Sequence, residues 1–397
     1  MDCSLEGFLS VRLQEIERRS LRRRIRSLEG PQGIQVRRDG RELLNFSSND
    51  YLGLANHPAL REAAMAEWAR GGFGAGASRL ICGTLAAHEE LEIAIADFKR
   101  TAAALCFSSG YAAAMGTIPA LCGSGDVVIL DKLSHACLVD AAHLSGAAIR
   151  VFPHNDMGKL ERHLRWARDK HPKGRVLVVV ESVYSMDGDL AALAEIVELK
   201  DRFGGWLFLD EAHAVGLLGD EGRGLADREG VADRVEVQMG TLGKALGAHG
   251  AYIAGSAALR EFLLNCARSF IFSTAPPAPV AAAAREALRI CRSSEGEALR
   301  ASLGNNLACL REEAGLAQAP SAIIPFQIGD EAEAMKVSAQ LLEAGFLVPA
   351  IRYPTVAKGS ARLRIAITAK HSPANVKNLA AALAGFNSPG ALPLRSR

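Results

Sequence analysis

The chain has 397 residues, a formal net charge of +2, 49% hydrophobic residues and 23% charged residues. This is a globular balance that excludes a disordered chain, and a chain of this length buries a large core without a disulfide or metal staple. So small a net charge leaves no electrostatic footprint for nucleic acid or a membrane surface, so the expected partners are small-molecule substrates.

Residues 4 to 28 open the chain with Leu5, Phe8, Leu9, Leu13 and Ile16 at near-helical spacing, which predicts an amphipathic leading helix ended by Gly30-Pro31. Arg22, Arg23, Arg24 and Arg26 lie among Glu15, Glu17 and Glu29, the pattern of a solvated helix face. No apolar signal-peptide core precedes them, and the acidic residues argue against a transit peptide. No uninterrupted apolar stretch is long enough to span a bilayer, so the expectation is a soluble, cytoplasmic protein. Eight cysteines form no C-x-x-C pair and no zinc-like spacing with histidine, and are expected to be free thiols in a reducing compartment.

Asn45-Phe46-Ser47-Ser48-Asn49-Asp50-Tyr51-Leu52-Gly53-Leu54 enters the main body through polar turn chemistry. Gly71-Gly72-Phe73-Gly74-Ala75-Gly76 follows a helical stretch rather than a strand, so an active-site loop is expected there and not a dinucleotide turn. From about residue 100 to 255, strand candidates alternate with helical patterns: Val127–Leu130, Val176–Val180, Trp206–Leu209, Val235–Met239 and Ala251–Ala254. The continuous apolar run Val176–Val180 suits a strand buried on both faces, and the alternation predicts βαβ crossovers with a largely parallel sheet. After Pro276-Pro277-Ala278-Pro279 an Ala-rich helix follows, then strands near Ile323–Ile328 and Arg362–Ile367. The predicted organisation is an N-terminal helical segment over 1–45, a large domain over 46–284 and a smaller α+β domain over 285–397.

Open α/β sheets bind their ligands at the carboxyl ends of strands. Three such ends carry reactive side chains: Glu181 to Gly188, Asp210-Glu211-Ala212-His213, and Gly240-Thr241-Leu242-Gly243-Lys244. Together they bring a carboxylate, an imidazole, hydroxyls and a lysine onto neighbouring loops. Pyridoxal phosphate requires such a set: a lysine for its aldehyde, a carboxylate to keep the ring nitrogen protonated, donors for the phenolic oxygen and an anion site for the phosphate. Lys244, Asp210, His213 with Ser185, and the helix opening at Gly110-Tyr111 are the respective candidates. Each alone has an ordinary rival, since a lysine after a strand is usually a surface lysine and Asp210 alone could cap a helix. It is the three loops in this order that favour the cofactor.

At these residues the chain resembles the α-oxoamine synthases, over nearly its whole length. The specific signals are Ser185-Met186-Asp187-Gly188-Asp189, Asp210-Glu211-Ala212-His213-Ala214-Val215-Gly216 and Gly240-Thr241-Leu242-Gly243-Lys244. The resemblance implies a fold-type I pyridoxal-phosphate transferase, with a mostly parallel seven-stranded sheet in the large domain and a smaller α+β C-terminal domain. It also implies that His135 stacks on the cofactor ring, that Thr241 touches the phosphate, and that Ser273 and Thr274 reach it from the partner subunit of a homodimer. Arg364 would bind the amino-acid carboxylate, with Arg362 on the same strand face as a competitor. His154-Asn155-Asp156-Met157 and Ala350 to Val356 match the branch that joins L-alanine to a pimeloyl thioester for biotin, in which Arg22 and Thr355 would contact the acyl substrate. Ile81-Cys82-Gly83-Thr84 resembles the glycine-using branch as much, and glycine or serine remains the alternative amino acid. The implied reaction is a decarboxylative condensation with Lys244 as general base.

Overall fold

The computed structural model describes residues 4–19, 21–315 and 320–386. The leading helix α1 spans Leu5–Arg18, capped by the Ser4 hydroxyl on the Gly7 amide, and none of its residues is buried. It stops well short of residue 28, before the arginine run, although Leu21, Ile25 and Leu28 continue at helical spacing. Residues 35–45 are not helical either. They form a hairpin of β1 (Gln35–Arg38) and β2 (Arg41–Asn45). Asp39 and Gly40 make the turn, both with positive φ (53° and 74°), as expected of an Asp-Gly pair between short strands.

The main sheet is built from β3 (Ala103–Phe107), β4 (Val127–Asp131), β5 (Ala148–Phe152), β6 (Val176–Glu181), β7 (Trp206–Asp210), β8 (Val237–Thr241) and β9 (Ala251–Gly255), in the order β3-β9-β8-β7-β6-β4-β5. β5, β4, β6, β7 and β8 pair in parallel, while β9 runs antiparallel to both of its neighbours. The sequence picks out the apolar strands, and Val176–Val180 is buried on both faces as predicted. The strand candidates leave out β3, where Ala103 and Ala104 have weak β-propensity, and the edge strand β5, although its Ile149, Val151 and Phe152 favour a strand; its Arg150 packs on the Trp166 ring.

Helices α2 (Pro58–Gly71), α3 (Ala86–Lys99), α4 (Gly110–Leu121), α5 (Ala136–Ser145) and α6 (Met157–Lys170) cover the sheet with later helices. The segment between α2 and α3 carries the glycine-rich stretch and then one π-helical turn, Arg79–Gly83.

The C-terminal strands are β10 (Ile323–Gly329), β11 (Phe346–Leu347), β12 (Ala350–Ile351) and β13 (Ala361–Ala366); β10, β13 and β12 form a second, antiparallel sheet with β13 central. The remaining strand, β11, instead pairs in parallel with β2, tying the hairpin to the C-terminal region. His371 reinforces that seam by stacking on Phe46, ring centroids 4.2 Å apart, and reaching the Asn45 carbonyl at 3.1 Å. Because β4, β6, β7 and β8 are parallel, their carboxyl ends, and the loops that follow, share one edge of the sheet.

Candidate active site

Asp210 ends β7 and is buried, with Oδ1 accepting the Ala212 amide at 2.9 Å. Burial raises its pKa, and the nearby Lys244 charge works against that rise. Lys244 follows β8, its Nζ 2.8 Å from His213 Nε2. Burial lowers the lysine pKa, while Asp210 and Glu181 pull it back up. His213 is buried, and desolvation, then Lys244 and Arg364, hold its pKa far below the usual imidazole range, so it is neutral. Its Nδ1 lies 2.7 Å from the Tyr51 hydroxyl.

That hydroxyl extends the chain of contacts into the second sheet. Arg364, on β13, donates from Nη2 to the Tyr51 hydroxyl at 3.3 Å and to Asn49 Oδ1 at 3.0 Å, and from Nε to the Ser185 carbonyl at 2.6 Å. Arg364, Tyr51, His213 and Lys244 therefore form one hydrogen-bonded series. Arg362 is engaged elsewhere, in an ion pair with Asp187 and a bond to the Ser360 carbonyl, which distinguishes the two arginines that strand alternation places on one face.

His135 caps α5: its Nδ1 accepts the Cys137 amide at 3.2 Å, and its own amide donates to Glu181 at 2.6 Å. It is solvent-exposed, yet the protein packed around it lowers its pKa, with Asp210 opposing and Lys244 reinforcing the shift. Gly110 opens α4 so close to β8 that a Cβ there would sit 3.1 Å from Thr241 Cγ2. The first amides of a helix have no intrahelical acceptor, so the opening of α4 at Gly110 and Tyr111 offers donors beside the lysine loop, next to Thr241, whose hydroxyl donates to the Ala212 carbonyl at 3.3 Å. The Tyr111 ring is itself half-exposed, its hydroxyl held by Asp140.

Other sequence-predicted residues lie apart from this cluster. Thr274 bridges Ser78, and Ser273 stands beside it in the same loop. Thr355 is exposed in the turn after β12, its amide bonded to the Arg352 carbonyl at 3.0 Å. Arg22 is exposed and pairs with Glu17 at 3.3 Å. Glu211 turns away from the site to a buried ion pair with Lys99 at 2.5 Å. The sequence reading assigns no role to Tyr51 or Asn49, although both fall within the quoted Asn45–Leu54 motif, nor to Glu181 at the end of β6.

Residues 41–383 match the family Aminotransferase class I and II. The 8-amino-7-oxononanoate synthase of Geobacter sulfurreducens is 48% identical over 377 residues, covering 94% of this chain and 96% of that protein. The serine palmitoyltransferase of Sphingomonas wittichii superposes with a TM-score of 0.90 at 30% identity, covering 97% of this chain and 98% of the other. A structure of SPT with PLP superposes with a TM-score of 0.88 at 28% identity, covering 96% of each chain. This chain belongs to the α-oxoamine synthases. It is a fold-type I transferase dependent on pyridoxal phosphate.

The residues present fit that cofactor. Asp210 is a buried carboxylate whose raised pKa records an incompletely offset charge, and a protonated ring nitrogen would offset it. Lys244, with a depressed pKa, favours the free amine that an aldehyde requires. Neutral His213 has an Nε2 turned toward Lys244 for the phenolic oxygen, and the opening of α4 suits the cofactor phosphate.

Proposed function

We propose that this enzyme condenses L-alanine with a pimeloyl thioester to give 8-amino-7-oxononanoate, carbon dioxide and the free thiol of CoA or a carrier protein. The observation that carries the proposal is the series from Arg364 to Lys244, a carboxylate-binding guanidinium wired to the base within a chain 48% identical to a synthase of that name.

Bound pyridoxal phosphate supplies the electron sink that makes the α-carbon acidic. Arg364 and Asn49 hold the amino-acid carboxylate, and this fixes the α-hydrogen relative to Lys244. Lys244 removes that proton at Nζ, and its lowered pKa keeps the amine basic but unprotonated nearer neutral pH. The α-carbon then bonds to the thioester carbonyl as the carbon–sulfur bond breaks and the thiol leaves. Loss of the carboxylate as carbon dioxide and return of a proton to the α-carbon complete the balance. His135 donates to the acyl oxygen as charge develops there. Asp210 keeps the ring nitrogen protonated, while His213, Ser185, Thr241, Gly110 and Tyr111 hold the remaining cofactor oxygens.

Arg22 and Thr355 take the acyl substrate, and Ser273 and Thr274 reach the phosphate of the partner's site. This requires a homodimer. The exposed apolar positions of α1, Leu5, Phe8, Leu9, Val11, Leu13 and Ile16, support an association surface. The free cysteines support a reducing, cytoplasmic setting, and among the described residues no helix is long and apolar enough to cross a membrane.

The test is product analysis by mass spectrometry with L-alanine, glycine or L-serine offered singly beside pimeloyl-CoA. Ketone formation with L-alanine alone is expected, and formation with glycine or serine alone would move the enzyme to another branch.

A further inference from the structure

His154 lies outside the cluster around Lys244, on the turn between β5 and α6. Its Nδ1 is 3.1 Å from both carboxylate oxygens of Asp131, and its Nε2 is 2.5 Å from Asp189 Oδ2. The ring packs edge-on against Tyr184, centroids 4.3 Å apart. Asn155 adds to the junction, its amide nitrogen donating to the Leu190 carbonyl at 2.9 Å and its oxygen accepting the Ala192 amide at 3.1 Å. The pair thus fastens the ends of β4 and β5 to the loop that leaves β6.

Both fastened segments lead to the active site. Asp131 also accepts the Leu133 amide at 2.8 Å, which sets the turn presenting His135. The loop held through Asp189 carries the Ser185 carbonyl that orients Arg364 and the Asp187 carboxylate that holds Arg362. Gly188 lies against β10 of the second sheet, its carbonyl accepting the Ser321 hydroxyl at 2.7 Å. An imidazole bonded to one carboxylate through each nitrogen must donate from both, and only the imidazolium does so.

We propose that His154, as a cation clamped between Asp131 and Asp189, is the positioning residue that sets the β6 loop and through it the geometry of Arg364 for the amino-acid carboxylate. The inference rests on the function proposed above. The charged and titratable groups facing His154 are Asp131 from the end of β4, and Asp189 and Tyr184 from the β6 loop; Asn155 beside it is neutral. The two carboxylates outweigh burial and raise its pKa to about 10, so the clamp is charged throughout the neutral range.

The test uses the holoenzyme with whichever of L-alanine, glycine and L-serine the wild type accepts, so that a wrong substrate assignment does not obscure the result. His154→Gln is expected to raise KM for the amino acid about tenfold, with kcat, the KM for the acyl thioester and the visible cofactor band changed by less than about twofold. Asp189→Asn removes one carboxylate and brings the imidazolium pKa down, so KM for the amino acid is expected to rise with pH between 6 and about 9, where the wild type stays flat. An unchanged amino-acid KM in His154→Gln, or a loss falling equally on kcat and cofactor binding, would overturn the inference. So would a pH-independent KM in Asp189→Asn.

Discussion

The lysine end of the main sheet and the two segments proposed to take the acyl substrate, residues 21–28 and 352–360, are held by different physics. At the sheet end, Lys244, His213, Tyr51 and Arg364 satisfy one another within a single chain, and His213 and Arg364 are almost wholly buried. On the acyl side, Arg22 and Thr355 are exposed, and Ile25 has no cover at all. A buried polar group must find its partner in the fold, so its placement is set before substrate arrives. An exposed arginine in a solvated pair is worth little and becomes part of a site only when something is laid over it. The first region is therefore preorganised by its own chain, whereas the second, in the proposed function, is completed by association or substrate.

The largest expected effect falls in the first region. Lys244→Ala should lower kcat by at least about 10³-fold while the protein still folds, because general-base removal of the α-proton is lost. Stopped assays of thiol release, with circular dichroism as the folding control, measure it. Near-wild-type turnover would break the assignment of the base.

Arg364→Ala should raise KM for the amino acid by about 10- to 100-fold, the worth of a charge-assisted carboxylate contact. Arg362→Ala, which removes the partner of Asp187, should change it far less. Equal effects from the two arginines would erase the distinction drawn between them.

The seam between the hairpin and the second sheet should show itself in stability. His371 is buried neutral, its Nδ1 accepting the Thr368 amide at 3.0 Å, and burial lowers its pKa from 6.5 to about 4. The unfolded chain takes up a proton on this residue below pH 6.5 and the folded chain resists until about pH 4. Stability is therefore complete above pH 6.5 and declines as pH falls through this window, by about 3 kcal/mol at most. Urea melts across that range measure the slope, which His371→Asn should flatten.

The smallest effect belongs to the acyl side. Arg22→Ala should raise the KM for the acyl thioester by about tenfold or less and leave amino-acid KM unchanged. A large loss in kcat instead would place Arg22 in the chemistry and undo the contrast between the regions.

Much of the lysine end was legible in the sequence because strand ends announce themselves. Apolar runs stop at Glu181, Asp210 and Thr241, and the residues that follow hold the reactive groups. The contacts that join those loops were not legible. Tyr51 meets His213 across 162 positions, and Arg364 meets Tyr51 across 313, so no local pattern signals either. His154 carries no local signal either, since its two carboxylates arrive from separate loops. The hairpin at Asp39-Gly40 carries a local signal, an Asp-Gly pair between short strands, although it falls inside the predicted N-terminal helical segment over 1–45. Ala103–Phe107 opens on two alanines of weak strand propensity and is held as a strand by its pairing with β9, whereas Ala148–Phe152 carries strand formers in a run too short to stand out from its flanks.

The most direct test of the central claim is α-proton exchange of L-alanine in deuterated water, with no acyl thioester present, followed by mass spectrometry. The wild-type holoenzyme is expected to incorporate one deuterium at the α-carbon, and Lys244→Ala to incorporate none above background. Exchange at the wild-type rate in Lys244→Ala would contradict Lys244 as the base, and the absence of exchange in the wild type would contradict the proposed handling of L-alanine.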